Sequence, residues 1–370
     1  MSATASPLAS PGATALAPPR GPSFAQRAAG FLRACFAGPL NTLLTLGCLG
    51  VPWLAVPPFW SWAVTNATLF GTAQDCRAAG GACWAFVREK FWFSIFGLYP
   101  YEERWRPATM VAILVAMVVA STVRRFWGKW LLLAWAVAAP AMWLLMQGGV
   151  LGLPFVQTRQ WGGLTITGII AVYGLALGYP LAVLLALGRR SELRLVRWFC
   201  TAVIECVRGV PLISLLFMAA IMLPLFMPQG VTVDRLVRVL VAYTLFTAAY
   251  MAEVVRGGLQ AMPRGQYEAA DAIGLSYWQK MRLVVLPQAL TITIPAQVNT
   301  FIGLFKDTTL VVVIGVFDFF TTLRSALGDP QWLGFPTEAY VYAAGVYFVL
   351  CFTMSRYSQR LERDFARTAR

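Results

Sequence analysis

The run Lys306-Asp307-Thr308-Thr309 sets an ammonium, a carboxylate and two hydroxyls side by side, with Asn299 two helical turns earlier. Groups of these types suit a zwitterion. A carboxylate takes its ammonium, and a cation or hydroxyls take its carboxylate. Adjacent residues of a regular helix point in different directions. Lys306 and Asp307 therefore do not both enter one pocket, and each either touches solute or pairs with a neighbouring helix or partner chain. Covalent chemistry is poorly supplied. Histidine is absent, which excludes Ser-His and Cys-His nucleophile pairs and His-ligated metals. No stretch fits G-x-x-x-x-G-K-[ST], so nucleotide hydrolysis is not expected of this chain. The seven cysteines show no metal-ligand spacing, and no cofactor is implied. Cys35, Cys48, Cys200, Cys206 and Cys351 lie in or beside apolar runs. Cys76 and Cys83 instead flank a polar stretch and can form a disulfide if that loop lies outside the cell.

The elements that position these groups are membrane spans. Of 370 residues, 58% are hydrophobic and 12% charged, against about 45–50% and 25% in a soluble domain. That excess of apolar surface must face lipid. Eight apolar runs lie near 40–58, 107–123, 130–151, 164–188, 211–227, 236–256, 290–317 and 339–355, and about 20 residues cross a bilayer as a helix. The fifth run is short and is expected to extend back through Trp198 to Cys206. Lys306 and Asp307 fall near the middle of the seventh, where a lone charge costs about 2.5–3.5 kcal/mol. Such residues face a cavity or a partner.

The formal net charge is +14. In a soluble protein this would suggest nucleic acid, but here the cations cluster between apolar runs, so no nucleic-acid partner is expected. Arg20, Arg27, Arg33, the Arg124–Lys129 turn, the Arg189–Arg208 stretch, the Arg256–Arg282 stretch and the C-terminal arginines all fall on one side. The short loops opposite hold only Arg159, Arg235, Arg238 and Arg324. This asymmetry puts both termini in the cytoplasm. Residues 1–34 read as a disordered tail, and loop 65–106 as an extracytoplasmic segment long enough for a small cap.

Between spans six and seven the chain reads Glu268-Ala269-Ala270-Asp271-Ala272-Ile273-Gly274, then Ser276 to Pro287. The pattern predicts two short helices around a turn. Gly274 takes the left-handed conformation, and Ser276 with Gln279 forms a capping box. Ala269, Ala270 and Ala272 offer a face that another protein can approach closely, and Glu268 and Asp271 can pair with cations on it. Glu205 with Arg208, beside Gly209 and Pro211, and Glu253 with Arg256 share helical spacing. They read as structural joints.

The spacing E-A-A, three residues, Gly, nine residues, aliphatic, one residue, Leu-Pro resembles the signature loop of permease subunits of binding-protein-dependent ABC importers. Val284 stands where Ile is usual. Arg208-Gly209-Val210-Pro211, the run Ala249 to Gly258, Asn299 and Lys306 to Leu310 are similar to the polar amino acid (histidine permease-like) family. The preceding three spans resemble general L-amino acid transporter permeases. Val210 replaces the usual Thr and Thr309 the usual Ser, which leaves substrate range open.

The resemblance implies an all-α, polytopic type I importer fold, with a three-helix extension over 35–160, a core over 161–358 holding the loop 263–287, and a cytoplasmic tail over 359–370. It implies a bacterial inner-membrane permease that is not itself an enzyme. Its partners would be ABC ATPase subunits, a second permease subunit that is a related different chain, a periplasmic amino-acid-binding protein, an L-amino acid and membrane lipid. Glu268 to Gly274 would be the coupling helix docked on the ATPase. An ion-coupled secondary transporter is the alternative, and a membrane-embedded enzyme a more distant one. No internal repeat or catalytic set supports either.

Overall fold

The computed structural model describes residues 24–150 and 152–368, nearly all of its elements helical. In chain order these are α1 (Phe24–Cys35), α2 (Pro39–Trp60), α3 (Ala73–Ala79), α4 (Trp84–Phe96), α5 (Trp105–Thr122), α6 (Lys129–Gln147), α7 (Gly163–Arg189) and α8 (Arg194–Gly209). Then follow α9 (Leu212–Phe217), α10 (Arg235–Ala261), α11 (Arg264–Ala272), α12 (Tyr277–Lys280), α13 (Leu286–Ile292), α14 (Ile294–Asp307), α15 (Phe319–Ala326) and α16 (Pro336–Thr368). Among the described residues there is one short strand, β1 (Phe317–Asp318), which pairs in parallel with residues 162–163.

Among the described residues, seven helical segments are long and apolar enough to cross a membrane, matching seven of the eight expected runs. The fifth run differs. α8 and Leu212–Phe226 meet at 103°, so no single rod extends back through Trp198. The sequence explains the break. Pro211 has no N–H and holds Val210 extended, at φ −106° and ψ 133°. α8 is amphipathic, burying Cys200 and Ile204 while Arg194 and Arg197 stay outside. The seventh run is also not one regular helix. α13 stops at Thr293, α14 restarts with Pro295 in its first turn, and Thr308–Ile314 tightens into a 3₁₀ helix. Of the expected tail 1–34, residues 1–23 lie outside the described residues and Phe24–Cys35 is helix. At the other end α16 continues as helix to Thr368, through most of the expected C-terminal tail.

The described residues divide into two compact units. One ends at Ala67 and includes Gly80–Ala82; the other holds Thr68–Ala79 and everything from Cys83 on. In the first unit no residue of α2 is buried, which suits a helix that meets lipid on all sides.

The larger unit is built around α7 and α10. A Cβ at Gly174 would lie 2.3 Å from the Tyr243 ring, and one at Gly178 would lie 2.9 Å from Thr247. Small residues let the two backbones approach this closely. Hydroxyls tie the neighbours on: Tyr243 donates to the Leu304 carbonyl at 2.6 Å and Tyr173 to the Ala139 carbonyl at 2.6 Å. Arg106 is fully buried and donates to the carbonyls of Leu145 at 2.7 Å and Pro154 at 2.9 Å, fastening α5 to the end of α6.

At one end of this unit, the cap face, α3 and α4 pack with α15 and the start of α16 over a core that includes Phe86, Phe319, Trp332 and Phe335. Cys76 and Cys83 are joined by a disulfide, their Cα atoms 5.3 Å apart. Cys83 N–H donates to the buried Glu338 carboxylate at 3.1 Å, and Lys90 pairs with Asp329 at 2.5 Å. Loop 65–106 thus contributes a folded cap. The opposite end, the linker face, carries α8 and α11 to α13.

Candidate functional site

The linker from Pro263 to Pro287 folds as its local chemistry dictates. α11 ends at Gly274, whose φ of +77° suits a residue without Cβ, and a Cβ there would meet nothing within 4 Å. Ser276 caps α12, its N–H and hydroxyl both donating to Gln279 Oε1 at 2.9 Å. The linker is then fastened to itself and to the spans. Lys280 reaches Asp271 at 2.6 Å, Gln288 reaches Gln266 at 3.0 Å, and Arg190 donates to the Tyr267 hydroxyl at 3.1 Å and the Leu259 carbonyl at 2.8 Å. Two expectations change. Ala270 is buried against this chain, leaving Ala269 and Ala272 on the outer side, and the Asp271 carboxylate is engaged by Lys280. Glu268 remains exposed, beside Ile273 at 75% and Trp278 at 69% exposure.

Above the linker, the two expected joints merge into one cluster. Glu253 accepts from Arg189 at 2.5 Å and Arg256 at 2.8 Å, with Arg208 at 3.6 Å. Glu205 pairs with Arg189 at 2.7 Å instead of with Arg208. Arg208 also lies over the Tyr250 ring, 5.5 Å from its centre. Gly209 and Pro211 sit at the 103° bend. The cluster binds the ends of α7, α8 and α10 together. Arg189 was missed because in sequence it is one cation of a basic turn. Its two carboxylates lie 16 and 64 residues away, beyond any helical spacing.

The polar groups of the seventh span separate. Thr308 is fully buried, its hydroxyl donating to the Phe305 carbonyl at 2.7 Å. Thr309 likewise donates to the Lys306 carbonyl at 3.0 Å. Both hydroxyl protons are committed to the backbone, and Thr308 is sealed from solute. Gln297 accepts from the Tyr179 hydroxyl at 2.9 Å and donates to Thr293, a bond between spans. Asn299 and Lys306 stay exposed, seven residues apart on one face with Gly303 between them. Asp307 is half-buried on the next face. Among the described residues no hydrogen bond or ion pair within 4 Å holds the side chains of Asn299, Lys306 or Asp307. A bare polar stripe half-way along a membrane span is not a lipid-facing surface.

The chain is also similar to known proteins. Residues 178–367 match the family described as "Binding-protein-dependent transport system inner membrane component". The chain is 51% identical over 333 residues to the inner membrane amino-acid ABC transporter permease protein YhdY of Escherichia coli (strain K12), covering 88% of this chain and 89% of that protein. It is 38% identical to the glutamate/glutamine/aspartate/asparagine transport system permease protein BztC of Rhodobacter capsulatus, over 90% of this chain and 93% of that protein. A solved structure, "Crystal structure of an amino acid ABC transporter with histidines", overlaps 55% of this chain and 92% of its own at 29% identity, with a TM-score of 0.49.

Proposed function

Because the chain belongs to the family of binding-protein-dependent transport system inner membrane components, we propose that it is the permease subunit of an ATP-driven importer that moves L-amino acids from periplasm to cytoplasm by alternating access. One observation carries this reading: the linker helices are fixed to the spans yet present Glu268 of α11, Ile273 at its C-terminal end and Trp278 of α12 to solvent. Exposed apolar side chains of this size beside a carboxylate mark a protein-docking surface. The occupant we assign is an ATPase subunit, whose closure would push α11 as a lever. A basic linker face suits the cytoplasm, and in this reading both termini lie there with the cap in the periplasm, facing an amino-acid-binding protein.

The bare stripe of Asn299 and Lys306, with Asp307 beside it, supports a second permease subunit facing α14 across the solute path. A related but different chain would supply the groups this face lacks. Asp307 is the acceptor for the solute ammonium, Lys306 and Asn299 the donors for its carboxylate, and Thr309 a lining residue.

The test is reconstitution with candidate binding proteins, the ATPase and a panel of labelled amino acids. Gly274→Val should leave membrane insertion intact and abolish coupled uptake, because a β-branched residue is strained at φ +77°. Gly274→Asn, which tolerates that conformation, should retain most of it. Asp307→Asn should lower solute-stimulated ATPase activity while ATPase docking persists. Uptake without any ATPase subunit, or full uptake by Gly274→Val, defeats the reading.

A further inference from the structure

A cavity of about 630 Å³ opens at the cap face, wholly within the larger unit. One wall is the end of α6 with the connection 155–161; the other is the start of α10 with residues 315–317. Arg159, Arg235 and Arg238 border it, with Asp234. That carboxylate is already committed, accepting from Leu236 N–H at 2.8 Å, Val237 N–H at 3.3 Å and the Thr158 hydroxyl at 2.6 Å. Arg238 is committed as well, donating to the carbonyls of Val233 and Ala220. Arg235 gives one N–H to the Ile314 carbonyl at 3.3 Å and keeps the rest. Arg159 is exposed and holds no hydrogen bond or ion pair among the described residues.

Trp161 supplies the second, independent sign of a ligand. It is 2% exposed, its ring stands edge-on to Trp143 with centres 5.1 Å apart, and its buried Nε1 has no hydrogen-bond partner. An indole N–H only donates, and a buried donor left unmatched is unfavourable. The cavity therefore offers several uncommitted donors beside an aromatic wall of Trp143, Phe155 and Phe317. It also lies at the ends of membrane-spanning helices, where headgroups meet hydrocarbon.

We propose that this cavity binds the headgroup of an anionic membrane phospholipid. Its phosphodiester oxygens accept from Trp161 Nε1, Arg159 and Arg235, and its acyl stems lie along Phe155 and Trp143. Two observations favour a lipid over the transported solute. The wall from Trp143 to Trp161 lies outside the family-matched segment 178–367, so that half of the cavity is an addition to the matched core. Its lining also mixes bulky aromatic surface with the cations, which suits an amphiphile more than a small dicarboxylate. The lipid acts as a strut between α6 and α10, and the proposal stands whatever solute is carried.

The experiment uses the full chain, delipidated in mild detergent and titrated by native mass spectrometry with dioleoyl phosphatidylglycerol and, separately, dioleoyl phosphatidylcholine. Inorganic phosphate and glutamate serve as soluble competitors. The expected result is tighter binding of phosphatidylglycerol, weakened about tenfold in Arg159→Gln, since one charge-assisted hydrogen bond is removed. Trp161→Phe removes the N–H together with the five-membered ring, and should weaken both lipids several-fold, its melt falling because the buried ring is smaller. Arg159 is exposed, so its variant folds normally. Equal lipid binding by wild type and both variants overturns the proposal. Displacement of the lipid by glutamate or phosphate at matching concentrations overturns it in favour of a soluble-anion site.

Discussion

Replacing Glu253 by Gln removes one charge from the centre of the three-helix joint and keeps its shape. The carboxylate accepts from Arg189 at 2.5 Å and Arg256 at 2.8 Å and lies 3.6 Å from Arg208. Glutamine leaves Glu205 as the remaining carboxylate among those guanidiniums. A hydrogen bond to a charged group contributes about 1.5–3 kcal/mol, and removing one partner of a fully buried pair costs about 3–5 kcal/mol. Here the Glu253 side chain is 17% exposed and the arginines 23% to 34%. Solvent screens part of the interaction, and the expected loss is about 2 kcal/mol. Glu205 sets the contrast. It is 53% exposed and has Arg189 as its partner, so Glu205→Gln should lose less than about 1 kcal/mol. Thermal unfolding in detergent, followed by tryptophan fluorescence, ranks the two, and solute-stimulated ATPase activity in proteoliposomes reads the functional cost. Glu253→Gln should melt several degrees lower and couple poorly, while Glu205→Gln stays near wild type. Equal melting shifts in the two variants, or a Glu253→Gln protein as stable as wild type, refutes the cluster as a joint.

Gly174→Ala should destabilise by about 1–3 kcal/mol through overpacking against the Tyr243 ring. Gly303→Ala, which meets nothing within 4 Å, should melt no lower than wild type as an isolated chain, since Ala favours the helix by about 1 kcal/mol over Gly. The double variant Cys76→Ser, Cys83→Ser should lose about 2–3 kcal/mol of cap stability by freeing a short loop. Faster hydrogen exchange over residues 73–96 would report that loss, and unchanged exchange would count against it. The hydrogen bond from Lys90 holds the Asp329 carboxyl below its ordinary value of 3.8. The pair's contribution is therefore complete above that value and fades as pH falls through the lowered one. Exchange at α4 should rise there in wild type and be insensitive to this step in Asp329→Asn.

The linker was legible because its signals are local. A capping box, a left-handed glycine and a proline act over a few residues, and α11, Gly274 and Ser276 stand where the spacing predicts. The spans were legible from length and hydropathy wherever the helix is regular. Only the backward extension of the fifth failed, because hydropathy does not register direction. The arginines and Glu205 of α8 can reach water only if the helix leaves the bilayer axis, and Pro211 supplies the corner. The ion cluster was half legible. Helical spacing reveals Glu253 with Arg256 but not Arg189, which arrives by packing of α7 on α10. In the seventh span residue types suggested four neighbouring ligands, but the switch from α to 3₁₀ at Thr308 turned one inward and spent both hydroxyl protons on carbonyls.

On the function proposed above, α11 as a lever and the polar stripe would belong to one mechanical chain. Arg190 fixes Tyr267 of α11 to the end of α7, and its neighbour Arg189 fixes that same end to α8 and α10. Higher up, Tyr179 of α7 holds Gln297, and Tyr243 of α10 holds the Leu304 carbonyl, both on α14. A push on α11 therefore reaches α14 through close-packed helices. The contact of Gly174 with the Tyr243 ring leaves no slack to absorb it. Lys306 and Asp307 follow Leu304 directly, so they ride on the segment that this linkage moves. Charges kept bare in a span are costly in lipid. Their retention here fits a surface that meets its counter-charges only when a partner chain or solute is present, and that moves with α14 as the lever is driven.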